Sequence, residues 1–291
     1  MQTRKPIVAG RFYPAQHDSC VDEINEFLEQ LTPDNQLPET VVAGIVPHAG
    51  WTFSGALAIQ VFSAIKQQNG KVHTFIILGA SHSYFGQAPA LYDRGIWTTP
   101  LGDVAIDEEL ADAVLEKASV VSDPQAHSSE HSIEVQVPFI QYLFAGAKIL
   151  PIVTPPTEQA VSLGEVLGDI IVSKENRKII CIGSTDLTHY GPSYGFTPKG
   201  TTSEALDWAE KVNDRQFIDL ALNIKPHELL TNALDNQNAC GPGAAAATVA
   251  AAKKLGKTKG TLLAHTNSNR IMQAKMAAKS ADSVGYAAIV F

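Results

Sequence analysis

The chain has 291 residues, 45% hydrophobic and 18% charged, the balance of a globular protein with ample material for a core. No run of about 20 apolar residues occurs, and the opening MQTRKPIVAGRFYP lacks a signal-peptide apolar segment, so the expectation is a cytoplasmic protein with no membrane partner. A net charge of -8, with no Lys/Arg-rich run among aromatics, also excludes nucleic acid as the expected partner.

In chain order, Val8 to Pro14 reads as a surface-packing loop. Asp18 or Ser19 then caps a helix from about Cys20 to Leu31, whose Val21, Ile24, Phe27, Leu28 and Leu31 fall on one face. Pro38 and Pro47 bound an apolar run, Val41 to Val46, which predicts a buried strand delivering His48 to a loop; Ser54 caps the helix that follows, Gly55 to Gln68. The plan repeats. His73 to Gly79 is a strand emptying into Ala80-Ser81-His82-Ser83, and Lys178 to Gly183 is another, followed by Ser184-Thr185-Asp186-Leu187-Thr188-His189-Tyr190. Open α/β sheets place ligands at the carboxyl ends of their strands. If these three strands are parallel neighbours, His48, His82, Asp186 and His189 converge.

Between those units, short alternating stretches around Pro100-Leu101-Gly102-Asp103 predict a hairpin, and Glu108 to Ala118 a helix. Ala126 to Glu134 crowds His127, Glu130, His131 and Glu134 ahead of an apolar helix, Ile133 to Phe144. On a helix start, Glu130 and Glu134 share a face with His131 beside them, so that a carboxylate can fix an imidazole tautomer; the competing reading is a solvated acidic first turn. Ala147 to Val153 is a strand and Thr157 to Val172 a helix. The Gly/Pro-rich Gly191 to Gly200 is too aromatic for a flexible linker and reads as an ordered wall near a site. Helices follow at Ser203 to Leu222, Pro226 to Asn236 and the alanine-rich Ala244 to Leu255, then strands at Gly260 to Thr266 and Val284 to Phe291.

Cys20, Cys181 and Cys240 are too far apart for a disulfide framework or a CxxC knuckle. Cys20 reads as an ordinary helix-start residue. Cys240 lies just ahead of a helix, where backbone N–H groups and the dipole favour thiolate. His17, His73, His227 and His265 read as structural or solvent-facing, His265 with no acid beside it. For His48, His82, Asp186, His189 and Cys240 four readings stay open: a metal centre, a cysteine nucleophile with His189 or His131 as base and Asp186 as orienter, a non-enzymatic binding surface, and structural histidines.

Pro47-His48-Ala49-Gly50-Trp51, Gly79-Ala80-Ser81-His82, Glu130-His131-Ser132-Ile133-Glu134, Ser184-Thr185-Asp186-Leu187-Thr188-His189-Tyr190-Gly191 and Ala239-Cys240-Gly241, with the Gly10-Arg11-Phe12-Tyr13-Pro14 start, resemble in order the blocks of the Memo family. Its bacterial and archaeal members are known as AmmeMemoRadiSam system protein B. The resemblance implies one Memo-like domain over residues 1–291. The implied fold is an α/β sandwich like that of the class III extradiol dioxygenases, with a largely parallel sheet flanked by helices. It also implies a site in which His48, His82 and Cys240 ligate iron or copper, or zinc, with Asp186, His189 and His131 in the same pocket as the catalytic groups. The activity implied is that of a metal-dependent oxidoreductase acting on a small molecule. The alternatives are a non-enzymatic protein- or peptide-binding module, with radical-SAM and AMMECR-type proteins as partners, and a cysteine-dependent hydrolase.

Overall fold

The computed structural model describes residues 2–31 and 37–291. Four parallel strands form its centre, in the spatial order Ala43–Val46, Ile179–Ser184, Thr74–Gly79, Lys148–Val153. Every residue of the first three is buried, as apolar runs covered on both faces should be. Ser283–Val290 extends this sheet antiparallel beside Ala43–Val46 and carries Thr261–Asn267 and the short His189–Tyr190 as further antiparallel partners. At the other side the two-residue strands Ala90–Leu91 and Val121–Ser122 complete it. The expected hairpin is present, Ile96–Thr99 with Gly102–Ala105, and it forms a separate small sheet with Thr3–Arg4.

Helices cover both faces, and two glycines show why they come so close. Gly44 and Gly183 point to opposite faces of neighbouring strands. A Cβ on Gly44 would meet Val61 of the helix Trp51–Asn69, and one on Gly183 would meet Thr248 and the Ala244 carbonyl of the helix Pro242–Lys254. The alanine-rich composition of the second helix has the same cause. It is buried from Pro242 to Ala252 between the sheet and the helix Glu158–Ser173, whose Gly164 sits against the Ala247 carbonyl. On the other face, Trp51 stacks on Phe139 at 4.2 Å between ring centres, and Phe27 brings in the helix His17–Glu29. The result is a mixed α/β fold with a large central sheet flanked by helices. No helix among the described residues is long and apolar enough to cross a membrane.

Several boundaries differ from expectation. The helix after His48 begins at Trp51, a turn earlier than predicted, because the Ser54 hydroxyl donates to the Ala49 carbonyl and caps nothing. The stretch expected as one helix from Ile133 is a 3-10 turn, Glu134–Gln136, leading into Val137–Leu143. Ser203–Trp208 and Asp214–Leu222 are separated by a π turn, Ala209–Asn213. Glu130 and Glu134 therefore share no helical face: Glu134 turns away to pair with Arg4, and Glu130 turns toward His82.

His127, ahead of that segment, is fully buried against Tyr92 and Trp97, with Nε2 donating to the Ala90 carbonyl at 3.0 Å. Burial pushes its pKa down to about 3, so the folded protein keeps it neutral while the unfolded chain takes up a proton below about pH 6.5. Stability is accordingly complete above that pH and declines as pH falls toward 3, by about 1.4 kcal/mol per unit from this residue alone. Urea unfolding at pH 7 and pH 5 should show a larger loss in wild type than in His127→Gln; equal losses would contradict this account.

Candidate metal centre

Each of three parallel strands ends by handing a side chain to one cleft. Pro47 has no N–H with which to continue the ladder, and the chain turns after Val46 to present His48. Gly79 ends the next strand and His82 follows; Ser184 ends the third, and Asp186 and His189 follow it. Cys240 arrives on the loop before Pro242–Lys254. The cleft has a volume of about 490 Å³, and its walls include Phe12, Phe53, Tyr194 and Tyr286 beside His48, His82, His131, Asp186 and His189. No lysine or arginine lines it among the described residues.

The hydrogen bonds fix which nitrogen each histidine offers. The Ser184 hydroxyl donates its one proton to the Ser132 carbonyl at 2.7 Å, so its contact with His48 Nδ1 at 3.1 Å has the imidazole as donor. His48 Nε2 is left as the unprotonated, accepting nitrogen. It faces Cys240 Sγ at 3.1 Å. Glu130 does the same for His82: its buried carboxylate accepts from His82 Nδ1 at 3.0 Å, from the His82 backbone N–H and from that of Ser132, leaving His82 Nε2 as the free nitrogen. A carboxylate behind an imidazole is the usual outer partner of a ligating histidine. Burial alone would raise the Glu130 pKa, but the His82 hydrogen bond and charge outweigh it and hold the carboxyl well below the usual range; His82 is correspondingly raised.

Asp186 Oδ1 accepts the backbone N–H of His48 at 2.7 Å and that of Ala49 at 3.3 Å, tying two of the loops together. Burial raises its pKa and lowers those of His48, His131 and His189. His131 stacks on His82 with 4.8 Å between ring centres, and Tyr194 meets His189 edge-on at 5.1 Å. Among the described residues, the donor atoms of His48, His82 and His131 all lie within 4.8 Å of one another, and so do those of His48, Asp186 and Cys240.

Five of the six residues singled out in the sequence line this cleft, and Cys240 joins them through its contact with His48. Four details differ from expectation. The neighbour of Cys240 is His48, with neither His189 nor His131 in the role of base. Its sulfur accepts the Asp186 N–H at 3.3 Å, and burial first, then the Asp186 charge, push the thiol well above its ordinary range, so helix-start thiolate is not the resting form. Phe12 belongs to the cleft, edge-on to His131 at 4.9 Å, so the loop around it does more than pack the surface. His265 does have an acid beside it, since its Nε2 meets Asp214 Oδ2 at 3.1 Å while Asp214 Oδ1 accepts the Thr188 N–H between Asp186 and His189. Glu130 and Ser184, which aim the two histidines, were not legible as such; the carboxylate in the Glu130-His131-Ser132 block was the one signal.

The fold and this cleft define an α/β protein with imidazole, carboxylate and thiol donors gathered at the carboxyl edge of a parallel sheet. The profile of the family described as Memo-like protein matches residues 4–290. A MEMO1 family protein of Methanosarcina mazei is 36% identical, covering 100% of this chain and 99% of its own. Those of Pyrococcus furiosus and Thermococcus onnurineus are 36% and 35% identical, covering 99% of this chain and 98% and 99% of theirs. The chain belongs to the Memo-like family.

Proposed function

We propose that the protein is a metal-dependent redox protein, a single Memo-like domain of the class III extradiol dioxygenase type, that binds iron or copper at His48 with His82 and Cys240 as the flanking ligands. The observation that carries this is the His48 Nε2 lone pair, buried and 3.1 Å from a sulfur, with a second imidazole beside it whose free nitrogen is set by a carboxylate. Borderline and soft metal ions take such donors. The bound ion would supply Lewis acidity and one-electron chemistry. The chain's own residues do the rest. Phe12, Phe53, Tyr194 and Tyr286 enclose a small molecule and exclude water, and His189 moves protons at the cleft wall. Asp186 holds the His48 loop against the His189 loop.

The same 3.1 Å contact also favours a second reading, a thiol–imidazole nucleophile pair. It is weaker, because the thiol is pushed up and the imidazole down, which keeps both neutral. Metal analysis of untagged protein is expected to find an ion in wild type and none in His48→Ala or Cys240→Ala. Metal-free wild type, with alkylation of Cys240 that is fast at neutral pH and indifferent to chelators, would establish the nucleophile instead.

A further inference from the structure

The π turn Ala209–Asn213 interrupts a run of helix, and such interruptions gather at functional sites. Here two consecutive residues at its end, Asn213 and Asp214, both reach one residue of the cleft loop, Thr188. Asp214 Oδ1 accepts the Thr188 backbone N–H at 3.0 Å, and Asn213 Nδ2 donates to the Thr188 hydroxyl at 3.1 Å. The other Asp214 oxygen, Oδ2, accepts from His265 Nε2 at 3.1 Å. Asp214 is buried, where a carboxylate is costly unless its hydrogen bonds are made, and it is the backbone of this loop that makes one of them.

A second observation comes from the strand beside the loop. Ser283–Val290 is buried throughout and has one glycine, Gly285. Its φ is not positive, so no special backbone conformation calls for glycine there. A Cβ on Gly285 would run into the Asp214 carboxylate. Gly285 also bonds the same loop in both directions, accepting the Leu187 N–H at 2.8 Å and donating to the Thr188 carbonyl at 3.0 Å. The side chain that Gly285 lacks leaves the space through which Asp214 reaches Thr188.

We infer that Asp214 is a positioning residue: with room made by Gly285 and its far oxygen held by His265, it fixes the Leu187-Thr188 backbone and so sets where Asp186 and His189, on either side, stand in the cleft. Asp214 itself does not line that cleft. The inference rests on the reading of His189 as the group that moves protons there, and deepens it. What the loop needs is an acceptor at Oδ1. Asparagine keeps that acceptor, and its NH2 can donate to His265 Nε2 once the imidazole carries its proton on Nδ1.

NMR of the histidine-labelled full chain from about pH 4 to pH 8 tests this, with the His189 signal assigned from His189→Gln. Burial holds the wild-type His189 below its ordinary value, with Asp186 and His82 as its charged neighbours and Tyr194 edge-on. Asp214→Leu, Gly285→Ala and His265→Leu should each free the loop and raise the His189 midpoint by at least about half a pH unit, whereas Asp214→Asn should stay within about 0.2 unit of wild type. Circular dichroism establishes folding, and Gly285→Ala, which keeps every polar group, carries the test where Asp214→Leu fails to fold. An unmoved midpoint in the folded variants, or an Asp214→Asn that shifts as far as Asp214→Leu, overturns the inference and leaves the metal centre standing. Wild type that binds no metal, with the midpoints as expected, overturns the metal reading and supports the role of Asp214.

Discussion

Glu130→Gln is expected to weaken metal binding by about 10–100-fold, the cost of losing an outer partner of a ligating histidine. The carboxylate takes three N–H donors on two oxygens: the His82 ring, the His82 backbone and the Ser132 backbone. A glutamine has one oxygen, and its NH2 must then face one of those donors in a buried site. Either the His82 ring swings or a backbone N–H goes unpaired, and in both cases Nε2 loses its aim. A binding titration of wild type and variant checks this, with thermal unfolding beside it. An unchanged affinity would mean that His82 is no ligand.

Arg4→Met should cost about 3–5 kcal/mol, because it leaves the buried Glu134 carboxylate without its cation. Arg4 Nη1 meets Glu134 Oε2 at 2.7 Å, its Nε donates to the His127 carbonyl, and its Nη2 donates to the Glu130 carbonyl. Glu134 in turn accepts the N–H groups of Ile7 and Val8 and the Tyr13 hydroxyl. One ion pair therefore clamps the amino-terminal loop that carries Phe12 to the segment that carries Glu130 and His131. Urea denaturation of wild type, Arg4→Met, Glu134→Gln and the double variant separates the pair from its parts. The double variant should be less damaged than the sum of the singles; a loss below about 1 kcal/mol for Arg4→Met would contradict the clamp.

The central strands and the convergence at their ends were legible because the signals are local: an apolar run, a proline or glycine stop, a polar residue after it. Cys240 was legible as a candidate donor from its place just ahead of a helix, but its approach to His48 was not, since that depends on Gly241 and Gly243 lying against Ser184 and Pro155, contacts far apart in sequence. The Glu130 region misled for a related reason. A helical period assigns Glu130 and Glu134 to one face, yet residues 128 to 131 form no helix, and each carboxylate answers a distant partner, His82 or Arg4. Asp214 was missed likewise: the π turn at Ala209–Asn213 aims it under Thr188, and nothing local announces that turn.

The most direct test is an anomalous-scattering map of metal-loaded crystals, recorded at the absorption edge of the bound ion. A peak at about 2.0–2.3 Å from His48 Nε2, with Cys240 Sγ and the His82 ring completing its shell, is the predicted result. A peak away from His48, or a cleft without one in protein that has been saturated with metal, would contradict it.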